Sequence, residues 1–298
     1  MKGCSLSRVG VWLGAVTVLG SSVLVAEGRA PAVAGTAQVA ASARNAPLLR
    51  VVHQPGSKAT SLCPGCSYNW AGYAQVASHR HTFTEVTATF VVPTVTSSIA
   101  GTQVAADWVG IGGYGDGSLV QAGIQSVATT VDNETNVSYE AWTEILPQAE
   151  KSLSVPVSAG DSVTVTVQEV SKNRWLMQIQ DGSQVGSRTV TYHARGASAE
   201  AIHERPCMAS PCSEVNHLAS LAQTSNVTFG PGSVSETAPG LPPETEPLLG
   251  DVSGAALHDL SMVADDGITV IATPSAPDAA QDAFTVADGA ATPPAPGM

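Results

Sequence analysis

The chain has 298 residues, 43% of them hydrophobic and 13% charged, and 13 basic residues stand against 25 acidic ones for a formal net charge of −12. That length suffices for one large domain or two ordinary ones with a real core. The acidic balance argues against nucleic acid or an anionic membrane as partner.

Residues 1–26 open with Lys2 and Arg8, continue through an apolar run from Val9 to Val25 and end on small residues. The run is short and no second apolar stretch follows, which is the pattern of a secretory signal peptide rather than a permanent span. The mature protein is therefore expected outside the cell, without stable membrane association and as a monomer. Residues 27–62 carry Arg29, Arg44, Arg50 and Lys58 against Glu27 alone, whereas the chain from 63 onward has seven basic and 24 acidic residues. Such a segment reads as a disordered export linker by composition. By charge it reads as a basic prosegment that covers the acidic body and lets go as the carboxylates protonate.

Cys4 leaves with the leader, so an even set remains: Cys63 and Cys66 in "CPGC", Cys207 and Cys212 in "CMASPC". In an oxidising compartment two disulfides follow, most simply each closing its own small loop. Zinc held by both pairs, or a redox role for "CPGC", is favoured by neither the spacing nor the surroundings. No metal or cofactor is expected.

From 63 to 288 the hydrophobic pattern has period two, with turn residues between the runs. "TFTEVTATFVV", "DSVTVTVQEV", "RWLMQIQ", "SRTVTYH", "SNVTF", "LHDLSMV" and "GITVIAT" all alternate in this way. Many short strands and no capped helical period predict an all-β fold, a β-sandwich of two antiparallel sheets. Residues 230–256, rich in Pro, Gly and Glu, read as a surface loop, and 289–298 as a disordered tail. Asn133, Asn136 and Asn226 sit in N-x-[ST] acceptor sites.

Three strands leave unusual residues on their second face. In 118–125, Val120, Ala122 and Ile124 suit a core, so Leu119, Gln121 and Gln125 point the other way. In 139–147, "YEAWTEILP", Glu140, Trp142 and Glu144 share a face, and in 197–206 so do Glu200, Ile202 and Glu204. Outer strand faces often carry Glu and Gln for solvation, but a large aromatic among them seldom serves solvation alone. If the strands line one concave sheet, the sets converge into a groove. Crowded carboxylates resist joint ionisation, a cost that chemistry can justify. No G-x-S-x-G elbow, H-E-x-x-H pair or Asp-Thr-Gly motif is present. "HRH" at 79–81 reads as a solvated turn, and His217 and His258 as isolated structural residues.

At these residues the chain resembles the glutamic endopeptidases, the eqolisin family of secreted acid proteases. "YNWAGY" (68–73) resembles the family's N-W-[AG]-G, "FTEVTATFVVPTV" (83–95) its V-x-A-x-[FW]-x-V-P strand, and "DWVGIGG" (107–113) its W-V-G-I-[DG]-G. "LVQAGI" (119–124) is similar to L-x-Q-[TA]-G, "YEAWTEILP" to Y-x-A-W-Y-E-x-x-P, and "AEAIHE" (199–204) to A-E-W-I-V-E. The resemblance implies a sandwich with a concave, concanavalin-like substrate groove and a catalytic pair at Gln121 and Glu204. It further implies metal-independent hydrolysis of proteins or peptides in acid. Glu204 would act as general base on a water and Gln121 as donor to the oxyanion. Glutamate suits acid work, its unperturbed pKa being about 4.3. Trp70, Trp108, Glu140, Trp142 and Glu144 would line the substrate site.

The chain departs from the family at Ala201, where Trp is usual, at His203 for Val, at Thr143 for Tyr, and at Gly112 where many members carry Asp. Ala201 and His203 should face away from Glu204, and a His203 charged in acid would loosen its strand. Three other readings fit the pattern: an inactive homologue, a carbohydrate-binding sandwich, and a glycosidase using two of Glu140, Glu144 and Glu204.

Overall fold

A computed structural model describes residues 63–78, 80–209, 215–250 and 254–297. The expected signal peptide, the basic segment 27–62, and Cys212 lie outside the described residues. Among those described there is no α-helix, and the strands form two sheets.

The smaller sheet has six strands. In chain order they are β3 (Thr82–Val91), β8 (Ser162–Ser171), β9 (Arg174–Asp181), β10 (Gln184–Thr191), β14 (Gly232–Thr237) and β15 (Glu244–Pro247), arranged β10-β9-β8-β3-β14-β15. The larger sheet curls strongly. Its path runs β13 (Val227–Phe229), β18 (Phe284–Asp288), β17 (Val270–Pro274), β16 (Ala256–Val263), β2 (Trp70–Val76), β11 (Ser198–Glu204), β4 (Gly101–Gly112), β5 (Leu119–Val131), β6 (Glu134–Ile145), β7 (Lys151–Ser152). Two short strands, β1 (Cys66–Ser67) and β12 (Ser220–Leu221), attach to β16 and β4.

The alternation read from the sequence sets the packing. Phe83, Val86, Ala88 and Phe90 of β3, Val163, Val165 and Val167 of β8, and Trp175, Met177 and Ile179 of β9 face Val109 and Ile111, Val120, Ala122 and Ile124, and Ala199 and Ala201 of the larger sheet in one core. Each fully buried Val, Ile or Phe contributes roughly 1.5–3 kcal/mol. Tyr73, Phe284, Phe229 and Phe90 chain together by ring contacts at 4.8–5.2 Å and close the core where the large sheet curls. The β5–β6 hairpin turns on Asp132 and Asn133, both with positive φ, as the right-handed strand twist prefers.

Two expectations change. Residues 230–256 are not simply a loop: β14 and β15 pair there, and Val234, Leu248 and Leu249 reach the core. Strands with little apolar alternation of their own, set among Pro, Gly and Glu, were enough to form an edge hairpin. The terminal stretch is also placed, because Gly289 N–H donates to Ile271 O, Thr273 donates to Gly289 O, and Ala295 is buried. Cys63 and Cys66 form a disulfide, and Cys207 is disulfide-bonded.

Candidate active site

The larger sheet carries a second apolar cluster on the face turned away from the smaller sheet: Trp70, Ala74, Ala106, Trp108, Leu119, Trp142, Leu146, Ile202 and Leu260. Strand parity places Gln121, Glu140, Glu144, Glu200 and Glu204 on this same face. Antiparallel register sorts them into three rows across β6, β5, β4 and β11. One row is Glu144, Gln121, Gly110, Glu200; the next is Trp142, Gly123, Trp108, Ile202; the third is Glu140, Gln125, Ala106, Glu204, which ends on Trp70 of β2. The acid, ring, acid pattern of "YEAWTEILP" thus heads three rows of one surface.

Glycines make the rows possible. A Cβ on Gly123 would lie 2.4 Å from Trp108 Cβ and 2.3 Å from Asp107 O, so only glycine lets β5 pass between Trp108 and Trp142. At Gly112 φ is +89° and a Cβ would meet Ser118 O at 2.1 Å, so a residue with a side chain does not fit this backbone.

Glu204 is fully buried, and its Oε2 accepts a hydrogen bond from Trp108 Nε1 at 2.7 Å. Its Oε1 lies 3.5 Å from Asn69 Nδ2, and Asn69 is itself held by Ser67, whose hydroxyl donates to Asn69 Oδ1 at 3.0 Å. Gln121, also fully buried, donates from Nε2 to Glu144 Oε2 at 2.9 Å, and its Oε1 has no hydrogen-bond partner among the described residues. Gln121 and Glu204 sit on β5 and β11 with β4 between them, their register partners there being Gly110 and Ala106. Trp108 spans that interval. Its N–H bonds Glu204, while the far edge of its ring lies 2.9 Å from where a Gly110 side chain would start, beside Gln121. Trp70 meets Trp108 edge-on at 5.0 Å, a favourable aromatic geometry.

Two further carboxyls differ from these. Glu140 is half-buried, and burial raises its pKa, against a hydrogen bond from Ser152 and with a further push from Glu150. Glu200 is buried outright and its pKa is raised well above the ordinary value, chiefly by that burial, against the nearby Ser198 hydroxyl and the Tyr114 N–H, which donates to it. Asn69, Tyr114 and Glu200 were not singled out as site residues by the sequence. Asn69 adjoins Trp70 in "YNWAGY" and Glu200 shares a face with Glu204, so adjacency and parity held the only signals for them.

Ala201 joins the core on the interior face, as alternation requires. His203 also points inward, but it is not a free charge that loosens β11: its Nδ1 lies 2.8 Å from Asp107 Oδ1, both groups buried. His81 of "HRH" is held rather than simply solvated, its Nδ1 being 2.7 Å from the buried Glu236 Oε1; His79 lies outside the described residues.

A family model described as the Peptidase A4 family matches residues 68–276. Among solved structures, scytalido-glutamic peptidase with a transition-state analogue inhibitor aligns at 22% identity with a TM-score of 0.56, covering 74% of this chain and 98% of that one. SCP-B, a member of the eqolisin family of peptidases in complex with the tripeptide Ala-Ile-His, aligns at 20% identity with a TM-score of 0.51, over 74% and 98% of the two chains. At these identities the structural likeness speaks for the fold alone. No curated protein matches the chain.

Proposed function

The chain belongs to the Peptidase A4, or eqolisin, family, and we propose that it is an endopeptidase working in acid, with Glu204 as general base and Gln121 as the stabiliser of the oxyanion. The observation that carries this reading is the pairing on one sheet face. Glu204 is gripped by neutral N–H donors, and Gln121 is oriented by Glu144.

The chemistry follows from those bonds. Trp108 and Asn69 both offer N–H groups to Glu204, and these hold the carboxylate in place. Glu204 takes a proton from a water, and that water attacks the scissile carbonyl. Glu144 accepts one amide hydrogen of Gln121, which leaves the second to donate to the developing oxyanion. Gln121 Oε1 accepts from the attacking water and so aims it. As the tetrahedral intermediate collapses, Glu204 returns its proton to the leaving nitrogen, and no covalent enzyme intermediate forms. Trp142, Trp70 and Trp108, each fully buried, pack around the pair, and with Glu140 and Glu144 they are the residues this reading assigns to the substrate site.

On the same reading the substrates are proteins or peptides, the protein is exported and acts as a monomer without metal, and 27–62 is a removable prosegment, the last on charge asymmetry alone. The test is to digest a denatured protein across about pH 2–7, spanning carboxylate titration, with and without an aspartic-protease inhibitor. Cleavage in acid that ignores the inhibitor is the expected result. Absence of cleavage at every pH, or release of sugar from a polysaccharide instead, would overturn the reading.

A further inference from the structure

The rung of β11 and β4 directly behind the Trp108–Glu204 hydrogen bond is a buried charge pair. His203 and Asp107 are register partners, and each is the chain neighbour of one member of that bond. His203 is 1% exposed and Asp107 0%; Nδ1 and Oδ1 lie 2.8 Å apart, and Nε2 lies 3.6 Å from Asp288 Oδ1. Asp288 comes from β18, near the far end of the sheet, and is fixed in turn by the Thr224 N–H, which donates to its Oδ2 at 2.7 Å. Three strands of the curled sheet therefore meet at one imidazole, on the face opposite the site: β4 by a hydrogen bond and β18 by charge attraction alone, Nε2 having no hydrogen-bond partner among the described residues.

We propose that the His203–Asp107–Asp288 cluster is a positioning device for the peptidase site, locking β11 against β4 so that Trp108 and Glu204 stay within hydrogen-bonding reach. It rests on the assignment of Glu204 as the base. A one-residue slip of β11 would turn Glu204 inward and part a buried ion pair, and separating such a pair is far more costly than shifting an apolar contact. The device needs the imidazole charged. Burial acts to lower the His203 pKa, but the charge of Asp107 and its hydrogen bond, with a further pull from nearby Asp288, outweigh it and raise the value to about 10. The next cation along the chain, Arg205, just past β11, is engaged elsewhere, by Tyr68 O and Asp265. His203 acts through Glu204 and Trp108 and touches no substrate.

The double variant His203→Val with Asp107→Ala removes both charges without stranding either. It is compared with the unmodified protein for kcat and KM on a peptide and for the ¹⁵N resonance of the Trp108 indole N–H, assigned with Trp108→Phe. A positioning role predicts a folded double variant, kcat lower by about tenfold or more from misplaced groups, KM little changed, and a shifted indole resonance. Asp107→Asn, which takes away the main counter-charge of the imidazole, lowers kcat in the same direction. A double variant with unaltered kcat and an unmoved indole resonance would overturn the proposal. Should the double variant not fold, the unmodified protein decides. Its Trp108 indole resonance must move together with His203 as the imidazole titrates near about pH 10, and an indole that ignores that titration overturns the proposal equally. Because the resonance is read without turnover, a protein that cleaves no peptide refutes the peptidase reading and still tests the rung.

Discussion

The two faces of β4 and β11 handle buried charge in opposite ways. Toward the smaller sheet, Asp107 is matched to a cation, His203. On the other face, one residue along, Glu204 is fully buried yet held by the indole of Trp108 and the amide of Asn69, neither of which is charged. A counter-ion holds a carboxylate still but opposes its protonation. Neutral N–H donors also favour the ionised form, and they fix the direction in which its lone pairs point. The first arrangement suits a structural lock and the second a base.

The largest effect expected from breaking this contrast is on the base itself. Glu204→Gln should lower kcat/KM by about 10²–10⁴-fold, the usual worth of a positioned general base, while melting at close to the unmodified temperature. Gln121→Ala should cost about 10²–10³-fold, as loss of one oxyanion donor does. Trp108→Phe keeps the ring but removes the hydrogen bond to Glu204, and should cost about 10–100-fold, in line with a charge-assisted bond of about 1.5–3 kcal/mol. Steady-state kinetics on one synthetic peptide would rank all three.

The interior face sharpens the comparison through pH. A His203 raised from 6.5 to about 10 is a stabilising group. Its contribution is fully present below about pH 6.5 and is lost as pH climbs toward about 10, the folded-state value. Thermal melts should therefore show stability falling across that window. The fall should be smaller in the double variant that lacks His203 and Asp107.

Glu200 should give the smallest change. Its raised pKa means that stability is present below the ordinary carboxyl range and is lost as pH rises through the folded value. Glu200→Gln removes that penalty, so it should leave the acid melt almost unaltered and raise the neutral one by about 2–4 °C per kcal/mol recovered.

The faces themselves were legible in the sequence because a strand has a period of two. Val120, Ala122 and Ile124 against Gln121, and Ala141 and Ile145 against Glu144, could be sorted by parity alone, and the motif resemblance supplied the order. What parity cannot supply is the partner across the sheet. Asp107 lies 96 residues from His203, and nothing local marks their pairing. The same holds for Asn69 and Glu204, 135 residues apart. The hairpin of β14 and β15 was obscured for a different reason: composition dominated by Pro, Gly and Glu masks strands with little alternation of their own, anchored by Val234 and by Leu248 and Leu249 just past β15.

The most direct test of the account is a pH–rate profile for one peptide, taken with the unmodified protein and with Glu204→Gln folded to the same degree by circular dichroism. An acid optimum is expected for the first, and for the second a rate lower by about 10²–10⁴-fold at that optimum. Cleavage by Glu204→Gln at a rate near that of the unmodified protein would contradict it.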